Sequence, residues 1–349
     1  ANTEKELSNQ AVNETFGVVA IYDWDLILAQ YSSTAGGYTE SYQNAFSDPY
    51  TKKFPATPKP YLSAKPDYDD IEPLNTDEAA AEFYKSKPKS FDVNSSYFRW
   101  EREWNGQEIQ DAVQANIAAQ SAAGFVSPAV KPGETIGIIK KLVVKKRGDS
   151  GKIMKLEIQT YDGNYIVEKE LVIRRLLTCK GKALPSANVV FEHEYNEDGD
   201  LIYIKAYGGG YGHGVGMSQY GAGYMATELK MPYEKILQHY YTGISLTTKP
   251  FILAANGEQN KITQEFYSKD KKAYLIVDNK YKVAFVDAKI NNVNQKIVLD
   301  TTQRFNRVDL SQYLKRGMNT VTFYYPTSEE NNKGLRMYIE LAGKDEYSD

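Results

Sequence analysis

A glycine-rich segment near residue 215 constrains this chain more than any other part of its sequence. Residues 208–223 read GGGYGHGVGMSQYGAG, with Gly212, Gly214 and Gly216 at alternate positions. Because glycine has no Cβ, such a segment lets the backbone approach another backbone or a ligand closely. The segment contains neither GxGxxG nor GxxxxGK followed by Ser or Thr, so it does not match a dinucleotide or phosphate loop. We therefore expect a close backbone contact or a ligand groove here.

Three polar side chains in this segment are candidates for ligand contacts: His213, Ser218 and Gln219. The ring of His213 stands among glycines and can reach a groove with little crowding. Ser218 and Gln219 stand at the start of a predicted helix, where free N–H groups can meet sugar hydroxyls or carboxylates. The alternative is a tight turn in which the histidine is satisfied locally. The residues alone leave both interpretations open.

Hydrophobic periodicity predicts a mixture of helices and antiparallel strands over the first 248 residues, an α+β fold class. The predicted helices cover residues 76–86, 105–120, a stretch that ends at Lys230, and 231–243. One predicted hairpin turns at residues 23–25. Another turns at 162–164, within a β pattern that runs from about Glu134 to Arg174, and a further one turns at 197–199. Residues 47–76 carry many prolines and aspartates and predict a long ordered loop.

After Pro250 the pattern changes to short strands separated by polar turns, which is typical of a β-sandwich. We therefore predict two domains, residues 1–248 and residues 249–349, with the second as an accessory β-sandwich. Tyr324, Tyr325 and Tyr338 of the second domain face either its core or a sugar. The second domain could also dock to a protein partner.

Composition excludes several classes of protein. Lys and Arg number 42 and Asp and Glu 45, so the net charge of −3 argues against a nucleic-acid binder. No apolar run approaches the roughly 20 residues of a membrane span. The single cysteine, Cys179, allows no internal disulfide, and the three histidines are scattered, so we predict no metal and no cofactor. The 28 tyrosines suit a sugar-binding groove or half-buried strand positions.

Several segments, taken in order, resemble the stage II sporulation protein D family, which includes relatives of the amidase-enhancer proteins. The glycine segment GHGVGMSQYGA at 212–222 is similar to the family's signature, and YSSTAGGYTES at 31–41 to its small-residue loop. Further similar segments are Pro60-Tyr61-Leu62 with Asp67-Tyr68-Asp69, residues 97–101, residues 184–186 and residues 233–243. The resemblance covers roughly residues 11–247 and leaves out the second domain.

The resemblance implies a lytic transglycosylase that cleaves peptidoglycan glycan strands outside the cytoplasm, in the cell envelope or as a secreted protein. Such an enzyme uses one carboxylic acid, with a raised pKa suited to protonating the glycosidic oxygen. In the family this acid, and the Cys and His ligands of members with zinc, precede the loop at 31–41. We therefore expect the family domain to be N-terminally incomplete here, and no residue takes over the acid's role by position. Glu40 is the first substitute, ahead of Glu101 and Glu103, and its alternative is a surface or loop-capping carboxylate.

These considerations predict that the loops near residues 36 and 214 fold into one cleft for a saccharide chain. The expected substrate-binding residues are Ser33, Gly36, Gly37, Tyr38, Thr39, His213, Gly214, Gly216, Ser218 and Gln219. Arg99 either pairs with a substrate carboxylate or forms a salt bridge at a strand edge. The expected partners are glycan strands and a cell-wall amidase. The competing hypothesis is a non-catalytic binding module or amidase activator.

Overall fold

The computed structural model describes residues 5–68, 71–255, 257–325 and 334–342. The helices are α1 (Glu6–Glu14), α2 (Tyr42–Ala45), α3 (Asp77–Lys85), α4 (Gly106–Ala122), α5 (Glu170–Leu176), α6 (Gln219–Thr227) and α7 (Tyr233–Tyr240). The strands are β1 (Val19–Tyr22), β2 (Asp25–Leu26), β3 (Tyr31–Ser32), β4 (Trp100–Asn105), β5 (Val126–Ser127), β6 (Ile139–Arg147), β7 (Ile153–Thr160), β8 (Asn164–Glu168), β9 (Val189–Tyr195), β10 (Leu201–Gly208), β11 (Met217–Ser218), β12 (Ser245–Thr247), β13 (Phe251–Leu253), β14 (Lys261–Ser268), β15 (Tyr274–Asp278), β16 (Phe285–Ile290), β17 (Val293–Val298), β18 (Phe305–Asp309), β19 (Gly317–Tyr324) and β20 (Leu335–Ala342). The predicted α+β class is confirmed.

Contacts between residues divide the chain into two compact units, one of residues 29–242 and one of residues 1–28 with 243–349. The predicted division into residues 1–248 and 249–349 differs in where it puts the first 28 residues. Local sequence signals do not report which later segment a hairpin pairs with. In the structure β1 pairs with β12, from Val19 opposite Thr247 to Ile21 opposite Ser245. The assignment of residues 1–248 to one family domain stays a prediction.

The unit of residues 29–242 contains two antiparallel sheets. Their strand orders are β4-β10-β9 and β5-β8-β7-β6. Helix α4 packs into the core with its apolar positions Ile109, Val113 and Ile117, each fully buried. Each such side chain contributes roughly 1.5–3 kcal/mol through burial. The helix starts where it does because Asn105 and Glu108 form a capping box.

The predicted β region from about Glu134 to Arg174 is wrong at its C-terminal end. The β pattern was expected to reach Arg174, but Glu170–Leu176 forms helix α5. Its sequence, ELVIRRL, is a short mixed run whose periodicity suits either structure. Val172, Ile173 and Leu176 are buried on one side of the helix, so packing decides in favour of the helix.

The unit of residues 1–28 and 243–349 is a sandwich of two antiparallel sheets. One sheet has the order β14-β19-β16-β17, and the other β18-β15-β20-β12-β1-β2 with β13 beside β20. Both sheets supply one shared core, which includes Phe266 and Phe323 from the first and Val277 and Ile339 from the second. Of the tyrosines considered as sugar contacts, Tyr325 and Tyr338 are buried and Tyr324 is half-buried, so these three do not form an exposed row.

No helix in the described ranges combines the length and the apolar character that a bilayer crossing requires.

Candidate functional site

The two loops that the sequence singled out lie against each other. Strands β3 and β11 pair in parallel, with Tyr31 opposite Met217 and Ser32 opposite Ser218. Further along, the Glu40 N–H donates to the Gly214 carbonyl at 2.8 Å. The segments at 31–40 and 211–218 therefore form one backbone assembly, although about 180 residues separate them in sequence.

Two glycines make this close approach possible. Gly36 has φ of 84°, and a Cβ built on it would lie 2.7 Å from the backbone carbon of Gly209. Gly216 has φ of 71°, and its Cβ would lie 2.1 Å from the Gln30 carbonyl oxygen. Both positions combine a left-handed backbone with a contact that has no room for a side chain. The expected close backbone contact is thus present between the two segments.

Asp92 joins the two loops from beneath. Its Oδ2 accepts the Gly36 N–H at 2.9 Å and the Ser218 hydroxyl at 3.2 Å, while its Oδ1 accepts the Ser90 hydroxyl at 2.7 Å. Burial raises the pKa of Asp92 to about 6, and the negative charge of Asp67 adds to the effect. Asp92 is a residue that the sequence analysis missed, since nothing in SFDVNSS distinguishes it from a loop aspartate.

Asp67 extends the same buried network towards helix α7. Its Oδ1 accepts the Tyr240 hydroxyl at 3.0 Å, and its Oδ2 accepts the Phe91 N–H at 3.0 Å. The same Oδ2 lies 3.0 Å from the Ser90 hydroxyl, whose single hydrogen it shares with Asp92. The family resemblance had included Asp67 without a role. In the structure its carboxylate anchors the segment of Ser90 and Phe91 to helix α7.

Glu40, the first substitute for the catalytic acid, is fully buried. Its carboxylate accepts the Ser41 N–H at 2.8 Å, the Asn44 amide at 2.9 Å and the Ser150 hydroxyl at 2.6 Å. Burial raises its pKa, and the ammonium of the equally buried Lys152 opposes that shift. Its oxygens hold neighbouring loops together, so its position fits the loop-capping alternative, in a buried rather than a surface setting.

The other two acidic substitutes lie at the surface of strand β4. Glu101 pairs with Lys205 at 2.9 Å, and Glu103 lies 4.0 Å from the same ammonium. Both carboxylates are more than half exposed, so these are solvent-screened ion pairs. They do not meet the joined loops in any described contact.

His213 is held inside the turn. Its Nδ1 accepts the Val215 N–H at 3.1 Å, its ring also hydrogen-bonds the backbone of Tyr31, and the ring of Phe46 lies 5.0 Å away. Burial lowers its pKa to about 4, with the charges of Lys152 and Arg174 adding to the effect, so the ring is neutral near pH 7. Of the two interpretations left open by the sequence, the geometry favours the locally satisfied histidine.

The guanidinium of Arg99 donates hydrogen bonds to four backbone carbonyls. Nε donates to Ser86 at 2.7 Å, Nη1 to Gly36 at 2.9 Å and to Phe98 at 2.7 Å, and Nη2 to Phe83 at 3.1 Å. This corrects both sequence-based readings of Arg99, as a substrate contact and as a salt bridge. Its role is to hold the loop at Gly36 in place.

Burial separates the ten expected substrate-binding residues into two groups. The buried ones are Gly36, Gly37, Tyr38, Thr39, Gly214, Gly216 and Ser218. Ser33 and His213 are partly exposed, and Gln219 is exposed. Most of the ten pack the two segments against each other, and the role of these residues in binding a substrate stays a prediction. Only the outer members remain available to a ligand.

Four exposed tyrosines lie on or beside the two joined segments. Tyr31 is 56%, Tyr97 36%, Tyr211 44% and Tyr220 47% exposed. Each is tied to the joined loops through its backbone: Tyr31 lies opposite Met217, the Tyr97 carbonyl accepts the Gly210 N–H at 2.8 Å, Tyr211 N–H donates to Thr34 at 2.8 Å, and Tyr220 N–H donates to Ser33 at 3.1 Å. We call Tyr31, Tyr97, Tyr211 and Tyr220, together with Ser33 and Gln219, the tyrosine surface.

Two rings of the tyrosine surface, those of Tyr97 and Tyr211, pack against each other. The ring centroids of Tyr97 and Tyr211 lie 4.4 Å apart, with the rings tilted by 45°. Its six side chains are all uncharged and each offers a hydroxyl or an amide. Such a surface can stack on apolar ring faces and hydrogen-bond to neighbouring hydroxyls. Within the described residues, no group of three or more His, Cys, Asp or Glu is arranged to hold a metal ion.

Comparisons with known proteins find relatives named amidase enhancer and stage II sporulation protein D. Residues 46–216 match a domain of unknown function, DUF8618. The chain is similar to the amidase enhancer of Bacillus subtilis, 29% identical over 257 residues, and to the stage II sporulation protein D of the same organism, 26% identical over 245 residues. It is also similar to the stage II sporulation protein D of Bacillus amyloliquefaciens, 28% identical over 247 residues.

These matches cover 69%, 70% and 71% of this chain. The chain spans 32% of the amidase enhancer and 52% of each stage II sporulation protein D, so it covers about half or less of the curated relatives. The resemblance expected from the motifs is confirmed. This chain is a relative of the stage II sporulation protein D family.

Proposed function

We propose that this chain binds peptidoglycan glycan strands outside the cytoplasm, and that the tyrosine surface is where it does so. The single observation that carries the proposal is the position of four exposed tyrosines on the two loops that carry the family motifs. The names of the relatives, amidase enhancer and stage II sporulation protein D, support a role connected with the cell wall.

The chemistry of the surface suits the ring faces and hydroxyls of a polysaccharide. A pyranose ring has an apolar face of C–H groups and a rim of hydroxyls, and tyrosine offers an aromatic face with a polar tip. Ser33 and Gln219 add hydrogen-bonding groups without charge. The guanidinium of Arg99, which donates to Gly36 in one of the joined loops, is already bonded to four carbonyls.

The test is isothermal titration of the whole chain with glycan strands stripped of stem peptides. The double variant Tyr97→Ala, Tyr211→Ala removes the closely packed ring pair and should weaken binding about fivefold or more, since each stacked ring contributes about 0.5–1.5 kcal/mol. The matched control is Tyr50→Ala, because Tyr50 is 90% exposed and lies outside the tyrosine surface. Equal affinities for the two variants, with circular dichroism unchanged, would defeat the proposal.

A lytic transglycosylase reaction is the finer function that the resemblance implies. It needs an acid that reaches the glycosidic oxygen, and the carboxyls found at the joined loops, Glu40, Asp67 and Asp92, are all buried and hydrogen-bonded. The geometry therefore supports binding better than cleavage by this chain. After incubation with glycan strands, mass spectrometry should detect no new anhydromuramic ends. Their appearance would establish the enzyme instead.

An amidase activator is the second candidate, favoured by the relative named amidase enhancer. It predicts that the chain raises the rate at which a cell-wall amidase releases stem peptides from intact sacculi. The double tyrosine variant should lose this effect if activation works through glycan binding. An unchanged amidase rate with the unmodified chain would remove this candidate.

A further inference from the structure

A cavity of about 320 Å³ separates the edges of two strands that belong to different sheets. Strand β6 is the outer strand of the sheet β5-β8-β7-β6, and β9 is the outer strand of β4-β10-β9. The cavity is lined by both strands and by helix α3, through residues that include Leu142, Val144, Val190, Phe191 and Ala81. It is separate from the tyrosine surface, with which it shares no residue.

The two strand edges face each other and run antiparallel, because side chains bridge them at both ends. At one end Arg147 Nη1 donates to the Val189 carbonyl at 2.9 Å. At the other end the Leu142 N–H donates to His193 Nε2 at 3.3 Å. Between these bridges, among the described residues, no backbone hydrogen bond joins 143–146 to 190–192. Alternate N–H and C=O groups on a strand edge are the groups that pair with an added strand.

The charge at this cavity is positive on balance. Arg147 is paired with Asp77 at 2.7 Å, and Lys85 is paired with Glu192. Lys141 also lines the cavity, and none of the ion pairs found among the described residues includes it. An exposed lysine on an edge strand can serve simply to discourage aggregation. Here, however, it stands at the mouth of a cavity that has free backbone groups on both sides.

We propose that this cavity binds a short, extended peptide that carries a free carboxylate. The peptide's main chain would pair with the facing edges of β6 and β9, and its carboxylate would meet the ammonium of Lys141. Three extended residues, about 10 Å at roughly 3.3 Å per residue, match residues 190–192 between the two bridges. Main-chain pairing with a sheet edge supplies affinity in this mode, and the charged end supplies direction.

The test uses acetyl-Ala-Ala-Ala with a free carboxylate and the same peptide with a carboxamide end. Titration of the whole chain should show binding of the free acid, with the ring resonances of His193 shifting and those of His213 and His239 unchanged. Lys141→Gln should weaken the free acid about fivefold and leave the amide unaffected, the size expected for an exposed ion pair. A peptide methylated on its central nitrogen should bind more weakly to every variant.

The matched control is Lys140→Gln. Lys140 is the exposed neighbour of Lys141, does not line the cavity, and lies 4.9 Å from the Tyr161 ring. Its replacement should leave peptide affinity unchanged. The proposal is overturned if His193 does not respond to the peptide, or if acid and amide bind equally. It is also overturned if inorganic polyphosphate binds more tightly than the peptide and loses affinity equally in both lysine variants.

Discussion

At the scale of single residues, buried carboxylates hold the joined loops together in addition to the glycines. Asp92 receives hydrogen bonds from Gly36 in one loop and Ser218 in the other, and Glu40 receives them from Ser41, Asn44 and Ser150. Removing one partner of such a bond leaves a buried donor unsatisfied, which costs about 1–3 kcal/mol. The carboxyls therefore act as structural clamps beneath the tyrosine surface.

The raised pKa of Asp92 predicts a specific pH dependence of stability. The folded chain binds this proton more tightly than the unfolded chain, since the pKa rises from 3.8 to about 6 on folding. The contribution to stability is therefore complete below about pH 4 and is lost as the pH rises through about 6. In urea unfolding, the stability of the unmodified chain relative to Asp92→Asn should fall between pH 4 and pH 6. A difference that stays constant, or that grows with pH, would contradict this assignment.

At the scale of elements, sequence signals worked where a structure is determined locally. Thr76 caps α3 through the Ala79 N–H, and the capping box of Asn105 and Glu108 starts α4. The predicted turn at Asp23 and Trp24 joins β1 and β2, with positive φ at both residues. Helix α5 was missed because a seven-residue run of mixed apolar and charged residues has no decisive period. Pairing between β3 and β11 is non-local and leaves no signal in either segment alone.

Gly216, where the segment of β11 passes close to the segment of β3, allows a prediction about stability. Gly223 in helix α6 provides the control. Gly216→Ala puts a Cβ 2.1 Å from the Gln30 carbonyl oxygen at a positive φ, so it should lower the free energy of unfolding by about 2 kcal/mol or more. Gly223→Ala, inside α6, meets nothing within 4 Å and should be neutral or stabilise by up to about 1 kcal/mol. Equal effects in chemical denaturation would show that the close approach is not tight.

At the scale of the whole molecule, the sequence predicted which loops meet but not which of their residues reach solvent. The resemblance and the glycine spacing brought residues 31–40 and 212–219 together. Burial depends on everything packed around them, and the tyrosines illustrate the problem. Tyr84 and Tyr240 are 2% exposed whereas Tyr211 is 44% exposed, although all three belong to the same residue type among 28 in the chain. No local feature distinguishes the buried ones from the surface ones.

The central claim, that a glycan chain lies on the tyrosine surface, can be tested by chemical footprinting of tyrosine. The whole chain is treated with tetranitromethane with and without bound glycan strands, and nitration of each tyrosine is measured by mass spectrometry. The glycan should slow the nitration of Tyr31, Tyr97, Tyr211 and Tyr220 and leave that of Tyr50 unchanged. Nitration of all five at the same rate with and without glycan would contradict the claim.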